Sequence, residues 1–372
     1  MAGIAGRFSR RLLLASGAAA ARMIAAESKG AAFPPDVKRY ADAATELEVY
    51  RLTAPSYAST LTAWYNRSIT HTGSDLLFCC DRSGSPQAFL MDLKNAGMRQ
   101  LTEAEGLDGS SLALTAGDRE FCFFAGRSLR VSALATPRER EVCQVAGGWE
   151  PGSGASVDRD GGHVYFIEKQ GDGSRLQTAA LSAGAKVRTV LDAPFQMADP
   201  IARPGRPQVL YRQGDEGLWL ADGTGKSKRR LKLAEGRIGP ANWAPDGKTV
   251  LYLSFPSDPT QLNAIREYAP EAETDRLVAR TSQFVDLGFN RDTSVFVGAS
   301  RNAASPVVLI LLRVTRRELT LCEHRASHPE TVAPVFSPDS QKIYFQTDRD
   351  GKPAIYGIDV ERLVEKTEAG TL

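Results

Sequence analysis

The sequence predicts an all-β chain, a seven-bladed β-propeller of four-stranded blades closed by an N-terminal strand. Three observations carry this. A Gly/Asp/Pro turn followed by a short β-branched or aromatic strand recurs seven times at a period of about 42 to 47 residues. That period holds four strands of about five residues with their turns and leaves no room for crossover helices. An alternating segment before the first unit, Glu46 to Thr53, is free to pair with the last one and remove the open edges.

The elements follow in chain order. Residues 1–26 combine Arg7, Arg10, Arg11 and Arg22, no acidic residue, an apolar stretch from Leu12 to Ala21 and small residues up to Ala26. This is the pattern of a cleaved export signal of the twin-arginine type, so the mature protein is expected to be periplasmic or secreted. Residues 27–41 read as a linker. A single propeller is expected over 42–363, with a tail at 364–372. The repeat turns fall at Thr72–Asp75, Ala116–Asp118, Asp160–Gly162, Pro204–Gly205, Pro245–Gly247, Asn290–Asp292 and Pro338–Asp339. The strands after them include Leu76–Phe78, Phe121–Phe123, Val164–Phe166, Val209–Tyr211, Val250–Tyr252, Val295–Val297 and Ile343–Phe345.

Composition narrows the function. The whole chain of 372 residues has 46 basic and 44 acidic side chains, and removing the leader leaves 42 against 44. Such a balance lacks the basic footprint of a nucleic-acid binder. No later stretch reaches the roughly 20 apolar residues of a membrane helix. Five cysteines, Cys79, Cys80, Cys122, Cys143 and Cys322, form no CxxC pair, so they read as small apolar packing residues rather than a disulfide framework. Nucleophile elbows, phosphate loops and HExxH helices are absent from the sequence. The basic string from Lys226 to Lys232 reads as a solvated blade edge, where charge discourages unwanted pairing.

Four segments together resemble the oligogalacturonate lyase family: Asp42 to Pro55 (DAATELEVYRLTAP), Arg203 to Gly205 (RPG), Asn242 to Gly247 (NWAPDG) and Ser337 to Tyr356. The resemblance runs from about Lys38 to Val360, with Glu46 standing where the family usually has glycine. The NWAPDG and FSPD elements are shared with TolB-like propellers. The opening and closing segments are more specific.

The resemblance implies a seven-bladed propeller that cleaves short pectin fragments by β-elimination, with manganese held by several histidines and a glutamine at the channel mouth. Elimination needs a cation against the uronate carboxylate, a base for the C5 proton and a proton for the departing oxygen. The family's His-x-His pair falls here at Thr331 and Ala333, its glutamine near His328, another histidine at Asp286 and its base at Pro240. His328 and Asp286 are therefore the remaining candidate ligands for manganese or another divalent metal, and with only four histidines in the chain the site is either rebuilt or without metal. His71 and His163 read as turn residues, and His324 lies in the loop before the last unit.

An acidic oligosaccharide also needs arginine forks for its carboxylates. Trp64, Tyr65 and Arg67 form one candidate binding cluster, with Arg212 and Arg237 at segments leading into later blades. The sequence thus predicts an oligogalacturonate lyase-like protein with a degenerate or rebuilt metal site. The alternative is a non-catalytic periplasmic propeller that binds acidic oligosaccharides or, like TolB, a protein partner.

Overall fold

The computed structural model describes residues 29–158, 162–214, 217–258, 260–281 and 283–364. The leader at 1–26 and most of the tail, 365–372, lie outside them. The described residues form seven antiparallel sheets. Five are built from four consecutive strands, and the first and last have five. The first strands of the blades are Ser59–Leu61, Leu107–Leu114, Glu150–Val157, Met197–Ala202, Arg237–Trp243, Gly288–Phe289 and Val335–Phe336. First strands of blades 1 to 4, and those of blades 6 and 7, pack against their neighbours, on the inner side of the ring. A single 3-10 turn at Pro329–Thr331 is the only helical element among the described residues.

The apolar side chains account for this arrangement. They separate into seven buried clusters, one between each pair of neighbouring blades. In the second blade, Phe121 and Phe123 pack toward the first blade, while Cys122 and Phe124 pack toward the third. Successive residues of a strand point to opposite faces, and here both faces are covered. The second strands therefore read as continuous apolar runs rather than alternating ones. Four of the five cysteines are buried and all are free thiols. Burial pushes the thiols of Cys79, Cys122 and Cys143 up to about 12, as packing residues require.

The ring closes through the N-terminus. Glu48–Arg51 pairs with Ala354–Asp359, the third strand of blade 7, in the register Val49↔Ile358, Tyr50↔Gly357 and Arg51↔Tyr356. It supplies the fourth strand of that blade. The expected linker at 27–41 is partly strand instead: Lys38–Ala41 adds a fifth strand to blade 7, and Ala32–Phe33 adds a fifth to blade 1. Phe33 is buried against Phe89, which explains why this stretch is held. The last described residues form a turn in which the Leu363 and Val364 amides donate to the Val360 carbonyl at 2.9 and 3.0 Å.

The family-like segments turn out to be joints between blades. Asp42 is buried; it caps Ala44 and Thr45 and accepts the Glu323 amide at 2.9 Å, tying the N-terminus to blade 6. The Lys352 amide donates to the Pro55 carbonyl at 2.8 Å, so the opening and closing segments meet each other. Arg203, only 2% exposed, stacks on Trp243 at 4.6 Å and donates to the Gly247 carbonyl at 2.7 Å. Gly247 has φ +68°, and a β-carbon there would collide with the Pro204 carbonyl. RPG and NWAPDG are thus two halves of one clamp between blades 4 and 5.

Candidate functional site at the channel mouth

Each first strand starts on the face formed by the loops between blades and runs toward the opposite face. The long segment between the first and second strands of blade 1, Thr62–Thr70, does not stay at the rim. It crosses the axis. The Asn66 amide donates to the carbonyls of Leu112 and Ala155 at 3.1 and 2.8 Å, reaching blades 2 and 3. The Trp64 indole donates to the Ala241 carbonyl at 3.3 Å, and Asn242 donates back to the Trp64 carbonyl at 3.4 Å, reaching blade 5. Trp64 and Tyr65 are edge-to-face at 5.1 Å. The channel is therefore plugged, and its mouth on the interblade-loop face has a floor.

This relocates one sequence candidate. Arg67 leaves the plug on the far face, where it donates to the carbonyls of Ile69 and Thr115 and pairs with Asp118. Its fork is filled by those partners, so the structure does not bring it to the same site as Arg212 and Arg237. Trp64 and Tyr65 form the plug itself. The Tyr65 hydroxyl lies against Gly154, where any β-carbon would collide with it, and has no hydrogen-bond partner among the described residues. Burial, with the charges of Asp199 and Asp108, holds the phenol well above its ordinary range.

The walls of the mouth come from bulged first strands. Registers shift between Asp108 and Ala113, Pro151 and Ala155, Ala198 and Ile201, and Ile238 and Ala241. Bulges re-aim side chains and backbone carbonyls. Arg212 donates to the Ile238 and Gly239 carbonyls at 2.9 Å each, at the blade 5 bulge, and from Nε to Asp199 at 3.3 Å. Asp199, at the blade 4 bulge, has φ +52°, an uncommon conformation for a residue with a β-carbon. Burial raises its carboxyl above the ordinary range, against the pull of Arg212.

Arg237 opens the first strand of blade 5 with its guanidinium 3.9 Å over the Phe255 ring. No acidic side chain pairs with it among the described residues. Partial burial lowers its pKa, as do the positive charges of Arg301 and Arg212. Arg301, at the matching loop of blade 6, is exposed and likewise unpaired among the described residues. Arg237 and Arg301 lie near enough for the charge of one to act on the other, and two such guanidiniums without acidic partners among the described residues can accept an anion. Sequence reading singled out Arg212 and Arg237 but not Asp199 or Arg301, which carry no motif.

The metal candidates do not converge. Asp286 is buried, with one carboxylate oxygen accepting the Leu287 amide at 2.8 Å and the other the Ala333 amide at 2.7 Å. His328 is largely exposed, 3.7 Å from Glu330. The buried His324 spends both ring nitrogens, on the Ser300 carbonyl at 3.0 Å and the Ala326 amide at 2.9 Å. No group of three or more His, Cys, Asp or Glu able to hold a metal occurs among the described residues. The donor set does not fit manganese or another divalent ion.

Ring, plug and cationic mouth define the class: a seven-bladed β-propeller with a one-sided, anion-accepting opening. The particular kinship comes from comparison. The family model described as oligogalacturonate lyase matches residues 27–178. An oligogalacturonide lyase of Pectobacterium atrosepticum is 27% identical, over 88% of this chain and 97% of that protein. An oligogalacturonate lyase of Dickeya dadantii is 25% identical over 85% and 94%. Among solved structures, an oligogalacturonate lyase in complex with manganese superposes with a TM-score of 0.83 at 25% identity, covering 89% of this chain and 98% of that one. In sequence and in fold the chain is thus similar to oligogalacturonate lyases.

Proposed function

We propose that the chain acts on short oligogalacturonides, holding a uronate carboxylate between Arg237 and Arg301 and opening the C4–O bond by β-elimination. The observation that supports this most directly is the pair of guanidiniums without acidic partners beside the pinned Arg212. Neutralising that carboxylate lowers the barrier to removing the adjacent C5 proton, because the charge of the resulting enolate is stabilised where it develops. The lyase relatives supply the substrate class. The export leader makes the periplasm the compartment of this proposal.

A second reading has its own support. By the resemblance, the family's base position falls at Pro240, which cannot titrate, and its histidine pair at Thr331 and Ala333. A propeller that kept the cationic mouth and lost elimination would bind the same fragments without cleaving them.

One experiment separates the two. The mature chain is mixed with di- and trigalacturonate while ultraviolet absorbance follows the conjugated C4=C5 bond, and binding is measured by calorimetry. Rising absorbance supports the lyase reading, and binding without absorbance supports the second. Absence of both sinks the carbohydrate assignment and turns attention to a protein partner.

A further inference from the structure

We propose that Asp199 takes the C5 proton of the bound uronate, with Tyr65 protonating the departing C4 oxygen, so that elimination in this chain runs on its own side chains without a metal. This rests on the lyase reading above. The argument starts from the backbone. Asp199 sits at the bulge of the blade 4 first strand with φ +52°. A left-handed residue with a β-carbon costs on the order of 1 kcal/mol, and such strain concentrates where a side chain must be aimed for function. The bulge turns Asp199 onto Arg212, whose other two nitrogens are fixed on the carbonyls of Ile238 and Gly239.

Only one carboxylate oxygen of Asp199 is used by that pair. The other has no partner among the described residues, and the side chain keeps 14% of its surface exposed. Tyr65 is held in the plug with its hydroxyl against Gly154, at the blade 3 bulge, near enough for the Asp199 charge to act on its phenol, which has no hydrogen-bond partner among the described residues. The charged and titratable groups around Asp199 are therefore Arg212 from its own blade and Tyr65 from the plug, with Asp108 of blade 2 acting on Tyr65. Two unsatisfied groups of opposite proton demand beside a carboxylate clamp are what elimination needs.

The step balances. The free oxygen of Asp199 accepts the C5 proton, and the electrons of the C5–H bond become the C4=C5 bond. The C4–O bond breaks, and the leaving oxygen takes the phenolic proton of Tyr65. Water then carries the proton from Asp199 back to the phenolate, restoring both groups. Burial raises the Asp199 carboxyl and so strengthens it as a base, while burial of Tyr65 keeps the phenol protonated until the leaving group demands it. Arg237 and Arg301 hold the substrate carboxylate throughout.

The test uses the mature chain and trigalacturonate, with absorbance for turnover, calorimetry for affinity and thermal unfolding as a fold control. Asp199→Asn should lower kcat by about 10²–10⁴-fold with affinity within threefold of wild type, since the amide cannot accept the proton. Asp199→Glu should recover part of that loss with a displaced acid limb of the kcat–pH profile. Tyr65→Phe should lower kcat with little change in affinity, and chelator should change neither quantity.

Wild-type turnover in Asp199→Asn, or an unmoved acid limb in Asp199→Glu, overturns the assignment. Activity abolished by chelator and restored by manganese overturns the metal-free part. Binding by the wild type without any elimination overturns the role of Asp199 while leaving recognition at the mouth intact, and the absence of binding removes the underlying reading itself.

Discussion

Glu46 shows how a single residue records a departure from the family pattern. It sits at φ +60°, in the region where the family's glycine is at ease and a glutamate is strained. Glu46→Gly should raise stability by about 0.5–1 kcal/mol, the relief of strain exceeding the extra freedom gained by the unfolded chain. Denaturant titration at neutral pH checks this, and an unchanged or lowered midpoint refutes it. Asp286 makes the opposite kind of departure. Burial pushes its carboxyl up to about 6, while two backbone amides pull it down. Because the folded value exceeds the unfolded one, the protonated form favours folding, and stability declines as pH rises from about 4 through about 6. At pH 7 the penalty is at most about 3 kcal/mol. Asp286→Asn should flatten that dependence, read as the thermal midpoint at pH 5 minus that at pH 7. At this scale the sequence was partly legible. Arg212 and Arg237 were visible as arginines in segments leading into blades, but Asp199 depends on a bulge and Arg301 on the meeting of two loops, neither of which leaves a local pattern.

Among the elements, the plug was the least readable. Trp64 and Tyr65 look like a binding platform when the chain is read linearly, because nothing local says that a connection between two strands crosses the axis. Their aromatic bulk instead fills the channel, and Asn66 satisfies carbonyls of two other blades. Asn66→Ala should cost about 2–4 kcal/mol by leaving both buried carbonyls unpaired, and should lower turnover of oligogalacturonides by loosening Tyr65. A loss below about 1 kcal/mol would show that the plug is not held by this residue. The clamp between blades 4 and 5 was legible as a motif but not as a mechanism. Trp243 is 2% exposed beneath Arg203, so Trp243→Ala should destabilise by about 3–5 kcal/mol, measured by chemical unfolding, with the mouth arginines untouched.

For the molecule as a whole, blade number and closure were legible from the period and from the alternating segment at Glu46–Thr53. The reason is physical: every second strand is buried on both faces, so seven apolar runs must appear at even spacing. The linker was misread because Ala32–Phe33 and Lys38–Ala41 are short edge strands, and edge strands show little alternation. Removing the chain through Leu52 should strip the fourth strand from blade 7 and expose Ala354–Asp359. The expected result is aggregation, seen by light scattering; a soluble monomeric propeller would refute the closure. The plug, finally, makes the mouth a cul-de-sac. A polymer cannot be threaded through the ring, so only fragments or chain ends enter, and whatever is released must leave by the door through which its successor arrives.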